Sequence, residues 1–108
     1  MLLDIGPVLH ADDAVANKMC ALYGRALPRD FLDIAAAITS GRYSRDDLLR
    51  LAAEADPGFA AAPFADALSA LTQITDVAFA EYGTPPEEIQ RMRRLFADWR
   101  DDLQRRTS

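Results

Sequence analysis

Ile89, Met92, Phe96, Trp99 and Leu103 recur at intervals of three and four residues, which puts all five on one stripe of an α-helix. The spacing returns along the chain, as Val15, Met19 and Leu22, as Phe31, Ile34, Ala35 and Ile38, and as Phe64, Leu68 and Leu71. Nowhere do four or more residues alternate with the β-branched or aromatic richness that a strand requires. The expected fold is all-α, a compact bundle of about five helices. Residues 1–10, MLLDIGPVLH, break the pattern at Gly6 and Pro7 and read as a short extended N-terminal arm. Residues 11–108 then form a single helical domain, long enough for one core and too short for two.

Local signals set the boundaries. A first helix is expected from Asp12 or Asp13 to about Arg25, weakened at its end by Gly24. Pro28 suits the first turn of a second helix that stops at Ser40-Gly41, so the two form a helical hairpin or corner. Ser44 with Asp47 makes a capping signal for a third helix ending before Asp56-Pro57-Gly58. Pro63 opens a fourth, a short helical segment follows from Val77 to Tyr82, and Thr84 with Glu87 is expected to cap the last. The Ile89–Leu103 stripe is read as a core face; a dimer seam through it would mark an interaction protein instead.

Charge is unevenly placed on a chain whose net value is −5. Residues 56–88 carry six acids and no base, whereas residues 89–108 carry six arginines against Asp98, Asp101 and Asp102. Nucleic acid is therefore a candidate partner only through this Arg-rich terminal helix, and the interleaved aspartates favour a solvated, internally paired face. No apolar run approaches the ~20 residues that cross a bilayer, so no membrane is expected. With one cysteine, Cys20, and no secretory pattern at the start, a cytoplasmic location is expected. Lone His10 and lone Cys20 cannot assemble a zinc site or a Cys-His pair, and no metal site is expected. The five glycines are scattered, leaving no phosphate-binding glycine loop, and Tyr23, Tyr43 and Tyr82 are too dispersed for base stacking and read as core-edge residues.

The stretch ANKMCALYGRALPRDFLD, residues 16–33, holds the only lysine in a chain with eleven arginines. Lys18 falls three residues after Val15 and four before Leu22, so its stem runs along the apolar stripe and its ammonium reaches the rim. A compact ammonium on a long stem suits a phosphate contact, and an ordinary amphipathic rim lysine has the same spacing. Asp30 and Asp33 stand at i and i+3 near a helix start, where acids complement the helix dipole and where two carboxylates can also hold a metal or orient a hydroxyl. Arg29 and Asp33 are spaced for an i, i+4 pair.

This stretch, continued through SGRYSRDDLLRLAAEADPGF and FADAL, resembles the C-terminal helical part of AbiEii/AbiGii-type nucleotidyltransferase toxins of type IV toxin-antitoxin systems. The resemblance covers about residues 7–104 and rests on Lys18-x-x-Ala21-Leu22, Arg25 and the step Arg29-Asp30-x-x-Asp33. It implies that Lys18, with Arg25 and Arg29, contacts a nucleoside triphosphate. It implies catalytic support from Asp30 first and Asp33 second, with Asp33 alternatively holding Arg25 or Arg29. Lysine places one mobile charge on a phosphate where arginine would fork across two oxygens. The family's Gly-Ser step and the acidic pair that binds two metal ions have no counterpart, since the chain contains no Gly-Ser dipeptide and no D-x-D. The isolated chain is therefore expected to be inactive and to need no cofactor. Mg²⁺ and a nucleoside triphosphate are implied for a complete member, and residues 1–10 would correspond to the last strand or linker of the absent half. The partners expected are a catalytic half, an antitoxin or a second copy. A free-standing interaction module or a relic helical domain stands as the alternative.

Overall fold

The computed structural model describes residues 11–107, which form six α-helices and one 3₁₀ turn, with no strand among them. The helices are α1 (Ala11–Gly24), α2 (Pro28–Thr39), α3 (Arg45–Ala55), α4 (Ala61–Ser69), α5 (Asp76–Ala80) and α6 (Pro86–Thr107), with the 3₁₀ turn Ala70–Gln73 closing α4. The all-α bundle expected from periodicity is the fold observed; α5 is a single short turn of helix. The proposed N-terminal arm and His10 lie outside the described residues.

Burial follows the apolar stripes. Met19 and Leu22 of α1, Phe31 and Ile34 of α2, Leu48 and Ala52 of α3, Phe64 and Leu68 of α4, and Phe79 of α5 close on the α6 stripe. Each large side chain fully removed from water contributes about 1.5–3 kcal/mol. Trp99 is the centre: its ring meets Phe64 edge-on at 5.1 Å and stacks with Phe96 at 6.3 Å, while Phe31 meets Phe96 edge-on at 5.3 Å. Helix α1 packs on α3 and α2, and α4 lies along α6. Ile89, Met92, Phe96, Trp99 and Leu103 are all buried in this core, so the stripe is not available as a dimer seam.

Ser44 accepts a hydrogen bond from the Asp47 N–H at 3.0 Å while Asp47 accepts one from the Ser44 N–H at 3.0 Å, the reciprocal box expected at the start of α3. Two other expected starts shift. Helix α4 begins at Ala61 and takes in Pro63 within its first turn, where a missing N–H costs nothing. Helix α6 begins at Pro86, with Pro85 accepting the Ile89 N–H, so Thr84 falls one residue too early to cap it. Tyr23 and Tyr43 pack at the core edge, whereas Tyr82 is 55% exposed.

Four of the six arginines of the terminal helix pair within the protein itself, while Arg91 and Arg94 are exposed and form no ion pair among the described residues. Arg93 donates to Asp76 and to the carbonyls of Leu71 and Ile74, and its guanidinium lies 5.6 Å from the centre of the Phe79 ring. It thereby ties the 3₁₀ turn and α5 to α6. Arg100 pairs with Asp101, Arg105 with Asp102, and Arg106 with Asp102 and Asp46. The interleaved aspartates thus neutralise the C-terminal half of the helix.

Candidate functional site

The corner between α1 and α2 is built around one carboxylate. Asp30, in the first turn of α2, is a buried acid with 3% of its side chain exposed. Arg25 clasps it with two parallel bonds, Nε to Oδ2 and a terminal nitrogen to Oδ1, both 3.0 Å, and the Leu27 N–H donates to Oδ2 at 3.0 Å. Burial pushes the Asp30 carboxyl up, but the Arg25 hydrogen bonds, the Leu27 N–H and the charges of Arg25 and Arg29 outweigh it and hold the carboxyl below its ordinary value. Between these donors Ala26 adopts φ +51°, a left-handed conformation that costs a non-glycine residue about 1–2 kcal/mol. The chain turns sharply there because Asp30 grips it on both sides.

Further along the hairpin, the Lys18 Nζ donates to Asp33 Oδ2 at 2.9 Å, joining residues fifteen positions apart across α1 and α2. This pair is open to water: the side chains of Lys18 and Asp33 are 45% and 36% exposed. Lys18 lies on α1 between Val15 and Leu22, which pack in or against the core, and its own side chain is exposed.

The five candidates thus resolve into two rungs of one helical hairpin, Lys18–Asp33 and Arg25–Asp30, with Arg29 exposed and in no ion pair among the described residues. The i, i+4 pairing of Arg29 with Asp33 does not form, because Asp33 is taken by Lys18, and Asp33 holds neither Arg25 nor Arg29. Three cations against two carboxylates leave the cluster at +1 on a chain of net −5. What it presents outward is the exposed ammonium of Lys18, the exposed part of Arg25 and the exposed guanidinium of Arg29. Each of these groups can donate to an anionic oxygen.

It does not suit a metal. Asp30 spends both oxygens on Arg25 and Leu27, Asp33 carries the Lys18 ammonium, and no group of three or more His, Cys, Asp or Glu side chains converges among the described residues. Cys20 is half-buried, and its thiol is pushed up by burial and by the charge of Asp56, which disfavours a reactive thiolate.

Sequence reasoning placed these residues near one another but missed how they are partnered. The signal was present: an arginine five residues before a first-turn aspartate, across a proline, can close a corner. A groove on the other side of α2, between α2 and α6 and about 410 Å³ in volume, left no comparable trace.

The family described as nucleotidyl transferase AbiEii toxin, type IV TA system, matches residues 5–107, and the chain belongs to it. Comparison with curated proteins and with solved structures found no match. Among the described residues no helix is long and apolar enough to cross a membrane.

Proposed function

We propose that this chain supplies the phosphate-reading face of a nucleotidyltransferase toxin and transfers no nucleotide by itself. The observation that carries the reading is the Lys18–Asp33 rung: the chain's single lysine sits exposed at the hairpin rim on one exchangeable carboxylate. A triphosphate oxygen can take that ammonium from Asp33 at little cost, because an exposed ion pair is worth only about 0–1 kcal/mol. Arg29 adds a second cation from α2. Arg25 keeps its outer edge available while the buried Asp30 fixes its position.

In this reading Lys18 and Arg29 bind phosphate, Asp33 aims the lysine, and Asp30 is a positioning residue that holds Arg25 and the corner. Phosphoryl-type transfer needs charge stabilisation on both the attacking and the leaving oxygen, which a bound divalent ion commonly supplies. The carboxylates here are committed elsewhere, so the Mg²⁺ of a complete enzyme would be held by a Gly-Ser and D-x-D half from outside these residues. Membership of a toxin-antitoxin family makes an antitoxin the expected counterpart of the assembled toxin.

Calorimetry with CTP, UTP, ATP and GTP in the presence of Mg²⁺, on the chain and on Lys18→Ala, tests the reading. Binding that disappears in Lys18→Ala is the expected result, together with no nucleotide incorporation into RNA by the chain alone. Equal binding by both forms, or transfer by the isolated chain, would overturn it.

A further inference from the structure

The corner that carries the two rungs also exposes one large apolar side chain. Among the described residues the exposed large apolar side chains are Leu27, Val77 and Tyr82, and the last two belong to α5 and the turn after it. Leu27 instead lies between Arg25 and Arg29, two arginines of the cationic face. All three side chains are exposed, whereas Ala26 and Pro28 between them are half-buried.

Leu27 occupies the N-cap of α2, at φ −80° and ψ 159°. That position favours serine, threonine, aspartate or asparagine, because a side-chain oxygen there takes a free N–H of the first turn. Leucine has no such oxygen. At 44% exposure it also gains little of the burial that would otherwise recommend an apolar residue. Nor does it serve as a hydrophobic staple, since the residue before the N-cap is Ala26. Its backbone is nevertheless tightly held. The Leu27 N–H donates to Asp30 Oδ2 at 3.0 Å, its carbonyl accepts the Asp30 N–H at 2.9 Å, and Pro28 keeps it extended. A residue that serves the helix poorly and is aimed firmly outward finds its reason in what it meets outside the fold.

We propose that Leu27 is the nucleobase contact of this face, with the base of the triphosphate lying on its side chain while Lys18 and Arg29 hold the phosphates. The proposal rests on the phosphate-reading role of the hairpin and adds what cations alone lack, a means of telling a nucleotide from a bare polyphosphate. Every base has an apolar face, so the contact does not select among the four bases.

Calorimetry with Mg²⁺ tests this by comparing each of CTP, UTP, ATP and GTP with inorganic tripolyphosphate, on the full chain, Leu27→Ser and Leu27→Met. Leu27→Ser is expected to weaken nucleotide binding about tenfold and to leave tripolyphosphate binding unchanged, whereas Leu27→Met keeps the wild-type affinity for both. Serine is the better N-cap, so Leu27→Ser should unfold at the same or a higher urea concentration than wild type, which separates lost contact from lost fold. Nucleotide binding unchanged in Leu27→Ser, or weakened there equally for nucleotide and tripolyphosphate, would overturn the proposal and leave the phosphate-reading role standing. A wild-type chain that binds neither would overturn both.

Discussion

The two rungs of the α1–α2 hairpin use the same chemistry to different ends. Arg25–Asp30 has a buried carboxylate, two parallel bonds and a backbone N–H on the same oxygen pair, and it spans a turn with a left-handed alanine. Lys18–Asp33 has one bond, both partners in water and no strained backbone beside it. Burial raises the cost of removing a partner, because the group left behind loses both water and its ion. Exposure lowers the cost of exchanging one. The first rung is therefore a fixture of the fold and the second is free to change partners, although the sequence motif presents their residues as one set.

Asp30→Ala breaks the comparison at its strongest point. It leaves the Leu27 N–H and the inner side of Arg25 without an acceptor and is expected to lower unfolding free energy by about 2–3 kcal/mol, measured by urea denaturation. A stability within the error of wild type would show that the corner does not depend on this carboxylate.

The same rung has a pH signature. A carboxyl held below its unfolded value stabilises the fold above that unfolded value, and the contribution is lost as pH falls through the lower folded value. Urea midpoints of the wild-type chain should therefore fall as pH drops below about 4, and Asp30→Asn should flatten that decline. Asp47, lowered by its hydrogen bonds with Ser44, contributes in the same direction and remains in both proteins.

Smaller effects sharpen the contrast. Ala26→Gly relieves the left-handed strain but loosens the unfolded chain, for an expected net gain of about 0.5 kcal/mol in unfolding free energy, measured by urea denaturation. Asp33→Asn, on the exposed rung, should change stability by less than about 0.5 kcal/mol while altering nucleotide affinity. If Asp33→Asn destabilises the chain as much as Asp30→Ala does, the division between fixed and exchangeable rungs is wrong.

The helices are legible in the sequence because apolar spacing, Pro28, Ser44 and the Asp56-Pro57-Gly58 turn act locally and agree with one another. The α6 stripe is legible as a core face for the same reason. The partners of Asp30 and Asp33 are not, because they depend on how α1 returns against α2, and spacing within one helix pointed Arg29 at Asp33 while the hairpin brings Lys18 there instead. Thr84 misleads for a related reason: a second proline moves the start of α6 one residue beyond its reach. The groove depends on α2 meeting α6, more than forty residues apart in the chain, and no local signal reports that meeting.

Because Lys18 is the only lysine, incorporation of ¹⁵N- and ¹³C-labelled lysine yields one side-chain ammonium signal that needs no assignment. Titrating a nucleoside triphosphate with Mg²⁺ into that sample reads the exchangeable rung directly. The expected result is a saturable shift of the Lys18 Cε and Nζ resonances that persists in Asp33→Asn. A signal that stays unchanged through the titration would contradict the assignment of Lys18 as the phosphate-reading residue of this chain.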